Sequence, residues 1–121
     1  MVGITNAHHE FGPIPWDDPA YYHSISPISL ANEIRTPLLI QHSERDLRTT
    51  VAQGEALFTV LRSLKRPVRF MRVPDESHEL TRSGTPFRRA ENLVQVNDWF
   101  VHFLVRGEKR LPAPPRNRAG R

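Results

Sequence analysis

The apolar positions change period in a regular way from residue 36 onward. After Thr36-Pro37, the run Leu38-Leu39-Ile40-Gln41-His42 is short and nearly continuously apolar, the pattern of a strand buried on both faces. Pro37 can precede it because the first strand residue need not donate to a ladder. From about Thr50 to Lys65 the period becomes helical. Val51, Leu57, Val60, Leu61 and Leu64 share one face, while Gln53, Glu55, Arg62 and Lys65 fall mainly elsewhere. Thr49 or Thr50 supplies an N-cap. After Pro67, Val68-Arg69-Phe70-Met71-Arg72-Val73 is rich in strand formers and partly alternating, and Pro74 ends it. A polar loop from Asp75 to Thr85 leads into a second helix from about Pro86. Its apolar stripe is predicted to be Leu93, Val96, Phe100 and Phe103 or Leu104.

The predicted order is strand, helix, strand, helix. This is a βαβα unit of the α/β class, with parallel strands and a right-handed crossover. Parallel strands are normally buried inside larger sheets, so two alone make a poor core. The pattern therefore predicts a piece of an α/β domain, or a chain that completes its sheet by self-association through the open edge. Up to about Ile25 the chain is crowded with turn formers and aromatics, among them Gly12, Pro13, Pro15, Trp16, Pro19, Tyr21 and Tyr22, and reads as an irregular arm. The other end, Leu111-Pro112-Ala113-Pro114-Pro115-Arg116-Asn117-Arg118, is rich in Pro and Arg. The expected organisation is an α/β part over residues 1–104 and a disordered tail over 105–121.

Composition narrows the chemistry. The 121 residues contain no cysteine, which excludes disulfides, thiolate metal sites and a cysteine nucleophile. The formal charge of +4 invites a nucleic-acid reading until it is located along the chain. Residues 105–121 hold six of the 17 basic residues against Glu108 alone, which leaves residues 1–104 with eleven basic and twelve acidic residues. The α/β part is thus nearly neutral, and nucleic acid is not an expected partner. The tail, which could contact phosphates, lacks the interleaved aromatics of a single-strand binder. Met1 to His9 shows neither a basic nor an apolar leader region, and no apolar run approaches a bilayer span. A cytoplasmic protein without membrane contact is expected. His8, His9 and His23 have no metal-binding spacing, so no metal or other cofactor is expected.

In an open parallel sheet, ligands bind beyond the carboxyl ends of the strands. The two loops there read Ser43-Glu44-Arg45-Asp46-Leu47-Arg48 and Pro74-Asp75-Glu76-Ser77-His78-Glu79-Leu80. Adjacent strands would bring Asp46 to His78. A carboxylate on Nδ1 fixes the imidazole tautomer and frees Nε2 to act as a general base. Glu44, Asp75, Glu76 and Glu79 compete with Asp46 for that place. His42, at the end of the first strand, reads as a packed structural histidine.

The wording of these segments adds a resemblance. Ser26-Pro27-Ile28, the run from Thr36 to Arg48, Gln53-Gly54-Glu55-Ala56-Leu57-Phe58, and Pro74-Asp75-Glu76-Ser77-His78-Glu79-Leu80-Thr81-Arg82-Ser83-Gly84 resemble the C-terminal half of a prolyl oligopeptidase family serine peptidase. The Ser-His-Glu-Leu and Arg-Ser-Gly pieces are most similar to its acylaminoacyl-peptidase branch. The resemblance, over roughly residues 10 to 104, implies a partial α/β-hydrolase fold with Asp46 as triad acid, His78 as triad base, and a short peptide as substrate. It also implies a serine on a Gly-x-Ser-x-Gly elbow upstream of the acid. No such elbow occurs in the 121 residues. Ser24, Ser26 and Ser29 precede the acid without glycine two residues to either side. The expected function is therefore a hydrolase catalytic-domain fragment, inactive alone and completed by a part that bears the serine. The alternatives are a non-catalytic remnant that binds a partner, or a nucleic-acid contact made by the basic tail.

Overall fold

The computed structural model describes residues 12–114. In chain order the elements are helix α1 (Pro19–Ile25), a 3-10 segment (Pro27–Glu33), strand β1 (Leu38–Ser43), helix α2 (Val51–Ser63), strand β2 (Val68–Val73), a short helix α3 (Leu80–Ser83), helix α4 (Pro86–Phe100) and a π-helical extension (Val101–Val105). The βαβα order expected from the periodicity is present. The arm expected to be irregular differs in containing α1. Asp18 accepts a hydrogen bond from the Tyr21 N–H at 2.9 Å, and Pro19 stands at the first helical position, a start signal strong enough to order seven residues.

β1 and β2 form a two-stranded parallel sheet, in register from Leu38 opposite Val68 to Ser43 opposite Val73. One face carries Leu38, Ile40 and Val68 and is covered by α2. There Leu61 is fully buried, with Ala31 and Val68 beside it, and Leu57, Phe58, Val60 and Ile34 pack around them. The Phe58 and Phe70 rings stack at 5.7 Å. α2 approaches the sheet closely at Gly54, where a Cβ would lie 3.0 Å from both the His42 ring and the Phe70 ring.

α4 serves the other face, but with a different stripe from the expected one. Trp99 and Asn92 are buried and Val96 and Phe103 half-buried, whereas Leu93, Phe100 and Leu104 are exposed. α4 is apolar around more than half its circumference, so periodicity alone cannot choose the inward side. The choice falls to Trp99, whose ring lies beneath the Arg69 guanidinium at 5.8 Å and against Phe103 at 4.7 Å. Gln41 adds a bond from its side-chain amide to the Asn92 carbonyl at 3.5 Å.

Of the expected tail, residues 105–114 are described: Val105 ends the π-helical extension, and 106–114 are irregular but attached to the body. The Arg69 guanidinium donates to the carbonyls of Pro112 and Ala113, and His102 bonds the Arg110 carbonyl at 2.7 Å. The remainder of the tail, like His8 and His9, lies outside the described residues. Among those residues, no helix is long and apolar enough to cross a membrane.

Candidate active site

Parallel pairing sends both strand-end loops out of the same edge of the sheet. The ladder continues one step beyond the strands, from the Glu44 N–H to the Val73 carbonyl at 3.0 Å. The Arg45 N–H then donates to the Glu76 carbonyl at 2.9 Å, which joins one loop to the other. Asp75 turns the second loop in the left-handed region, at φ 62°, a conformation that Asp tolerates through its short polar side chain. As a result Asp46 and His78, 32 residues apart, meet with His78 Nδ1 2.9 Å from Asp46 Oδ2.

The first loop folds around Asp46 because Asp-x-x-Thr closes a local turn. Asp46 Oδ1 accepts the N–H of Arg48 at 3.0 Å and of Thr49 at 2.9 Å, and Oδ2 accepts the Thr49 hydroxyl at 3.0 Å. Asp46 is 8% exposed. Burial by itself raises its pKa. The hydrogen bonds from the Thr49 N–H, His78, the Thr49 hydroxyl and the Arg48 N–H outweigh burial and hold the carboxyl at about 2. An ionised carboxylate only accepts, so Nδ1 of His78 is the donor in this bond and Nε2 is the nitrogen left to exchange a proton with a reacting group. The pair has the arrangement that makes an imidazole a general base.

The competing acids are each engaged elsewhere. Glu44 pairs with Arg72 at 3.2 Å, Asp75 with Arg45 at 3.8 Å, and Glu79 with Arg82 at 3.3 Å and Arg48 at 3.7 Å. The Glu76 carboxylate accepts from Thr85. His42 is the structural neighbour expected of it, with Nε2 donating to the Thr49 carbonyl at 2.8 Å and lying 3.6 Å from Asp46 Oδ2. An open hollow of about 300 Å³ adjoins the pair, lined among others by Gln41, Ser43, Thr49 and Asn92. Trp16, Tyr21 and Tyr22 take no part in its wall. Among the described residues no group of three or more His, Asp or Glu side chains is arranged to hold a metal ion.

Two residues of the site were not singled out by sequence reasoning. Of the two threonines expected to offer an N-cap, Thr50 takes the cap position of α2, without a side-chain bond, and the Thr49 hydroxyl goes to Asp46. The Asp-x-x-Thr spacing was the available signal. Glu76 reads from the sequence only as a rival partner for His78; its carboxylate instead accepts from Thr85, nine residues further on, which no local pattern announces.

Comparison with known proteins decides the family. The model of the prolyl oligopeptidase family matches residues 2–106. The chain belongs to the prolyl oligopeptidase family. An uncharacterized peptidase of Bacillus subtilis, YuxL, is 40% identical over 79 residues, 65% of this chain and 12% of that protein. Dipeptidyl-peptidase 5 of Schizosaccharomyces pombe is 32% identical over 95 residues, 78% of this chain and 14% of that protein. The chain thus spans about an eighth of the curated relatives it matches. Among solved structures, Pyrococcus horikoshii acylaminoacyl peptidase superposes with a TM-score of 0.84 at 23% identity, over 92% of this chain and 18% of that one. The described elements are accordingly a part of an α/β-hydrolase fold, and the sequence corresponds to a peptidase-like portion of a prolyl oligopeptidase family protein.

Proposed function

We propose that this chain supplies the acid, Asp46, and the base, His78, of a Ser-His-Asp triad that hydrolyses short peptides, with the serine contributed from outside its 121 residues. The observation that carries the reading is the 2.9 Å contact between His78 Nδ1 and a buried, ionised Asp46. With Nδ1–H held on the carboxylate, Nε2 can take the proton of an attacking serine hydroxyl and return it to the leaving amine, while Asp46 stabilises the imidazolium formed in between. Neither step supplies the nucleophile or the oxyanion donors, and the sequence contains no Gly-x-Ser-x-Gly turn to provide them. The chain alone is inactive on this reading.

Grafting tests it. The matching 95-residue segment of the fission-yeast dipeptidyl-peptidase 5 is replaced by the corresponding segment of this chain, and hydrolysis of a dipeptidyl chromogenic substrate is followed. The chimera is expected to be active, and Asp46→Ala or His78→Ala in it to lower kcat by about 10⁴-fold. Activity indifferent to both substitutions would remove the proposed roles. Separately, the purified 121-residue chain is expected to leave a fluorophosphonate probe unreacted, and stoichiometric labelling of any of its serines would refute an external nucleophile.

A further inference from the structure

The residue two positions before His78 has a carboxyl group that the acid–base pair does not use. Glu76 is only 6% exposed, and its Oε1 accepts both the N–H of Thr85 at 3.0 Å and the Thr85 hydroxyl at 2.7 Å. Thr85 stands at the N-cap position of α4, where its side chain makes no cap bond to the helix. The main-chain carbonyl of Glu76 meanwhile accepts the Arg45 N–H, one residue from Asp46. Gly84 completes the fit. A Cβ at that position would stand 2.8 Å from Glu76 Oε2 and 2.4 Å from the Leu80 carbonyl, so the loop closes over the carboxylate only with glycine there.

One buried residue therefore touches three pieces at once: the loop of the acid, the loop of the base, and the start of α4. We propose that Glu76 is a positioning residue, clamping the 74–85 loop to α4 so that His78 is held on Asp46. The inference rests on the acid–base reading above. His78 itself is 39% exposed at its side chain, so packing around the ring does little to fix it, and the placement of its backbone carries the 2.9 Å contact. Among the described residues the main-chain bonds that join the two loops are Glu44 to Val73, at the end of the ladder, and Arg45 to Glu76. The clamp persists at neutral pH. The hydroxyl and N–H of Thr85, opposed by burial and helped by Arg88, hold the Glu76 carboxyl below the usual range, so it stays charged.

The test reads the tautomer of neutral His78 from its imidazole ¹⁵N shifts in the full 121-residue chain at alkaline pH, assigned by comparison with His78→Gln. A free histidine favours the Nε2–H tautomer, whereas a carboxylate on Nδ1 imposes Nδ1–H. The wild-type chain is expected to show Nδ1–H, and Asp46→Ala to revert to Nε2–H. Glu76→Ala is expected to lose more than half of the Nδ1–H population with Asp46 intact. Thr85→Ala should lose a smaller part, and Glu76→Gln, which keeps an acceptor for Thr85, should retain it. A folded Glu76→Ala chain, judged by near-ultraviolet circular dichroism, with an undiminished Nδ1–H signal overturns the proposal. If that variant does not fold, Thr85→Ala with a wild-type tautomer overturns it instead. An unaltered tautomer in Asp46→Ala would be a failure of the acid–base reading, visible whatever Glu76 does.

Discussion

Four hydrogen bonds converge on the Asp46 carboxylate, and they make its charge a contributor to stability as well as to chemistry. Its pKa is about 2 in the folded chain, against about 3.9 for an unperturbed aspartate, so the unfolded state takes up the proton first on acidification. The stabilisation is therefore complete above about pH 4 and is lost as the pH falls through about 2, a contribution of about 2 kcal/mol. Urea titrations between pH 5 and pH 2 are expected to show this loss in the wild-type chain and its absence in Asp46→Asn, after allowing for the other carboxyls. Thr49→Val, which removes one of the four bonds, is expected to cost about 1 kcal/mol at neutral pH and to move the acid transition toward higher pH. At this scale Asp46 and His78 were legible, because topology brings strand-end residues together and the family wording singles out one acid among five. Thr49 was not, because a threonine just before a helix looks the same whether its hydroxyl serves the helix or an aspartate three residues back.

The strands and α2 were readable almost to the residue because each has one packing requirement that its period states openly. Leu38-Leu39-Ile40 must be covered on both faces, and the covering face of α2 repeats with the helical turn. α4 was placed correctly and Val96 and Phe103 turn inward as expected, but Trp99 and Asn92 complete the buried side in place of Leu93 and Phe100, through the contacts of Trp99 with Arg69 and of Gln41 with Asn92. Gly54 gives a test at the scale of elements. Alanine there would gain about 1 kcal/mol of helix propensity. It would also drive a methyl to 3.0 Å from the His42 and Phe70 rings, both borne by strands, with Phe70 stacked on Phe58 as well. Overpacking of this kind costs about 1–3 kcal/mol. The His42 ring is restrained by its bond to the Thr49 carbonyl and the Phe70 ring by its stack on Phe58, so Gly54→Ala is expected to destabilise by about 1 kcal/mol in urea denaturation. The double variant with His42→Ala, which makes room, should recover part of that loss, and strictly additive effects would show that the crowding is not at His42.

At the scale of the whole molecule, the outer face of α4 and its extension is a large apolar surface open to water. Leu93 is 67% exposed, Phe100 54% and Leu104 74%, with Val94 and Val105 also open to water. A helix apolar on both sides belongs in the interior of something larger, and among the described residues both outer edges of the two-stranded sheet are unpaired as well. Sequence could announce the surplus of apolar surface but not its location, because exposure is decided by what else is present. The expected consequence is self-association of the isolated chain. In sedimentation velocity the mean mass should rise above 14.0 kDa with concentration, and added salt should not reverse it, because apolar burial rather than charge drives it. Phe100→Asp combined with Leu104→Asp should lower the association constant at least tenfold without altering the circular dichroism, since neither side chain is buried. Association that persists in this variant would assign the contact to the open sheet edges. A chain that stays monomeric at all concentrations and melts cooperatively would show that the two strands and their helices suffice as a core.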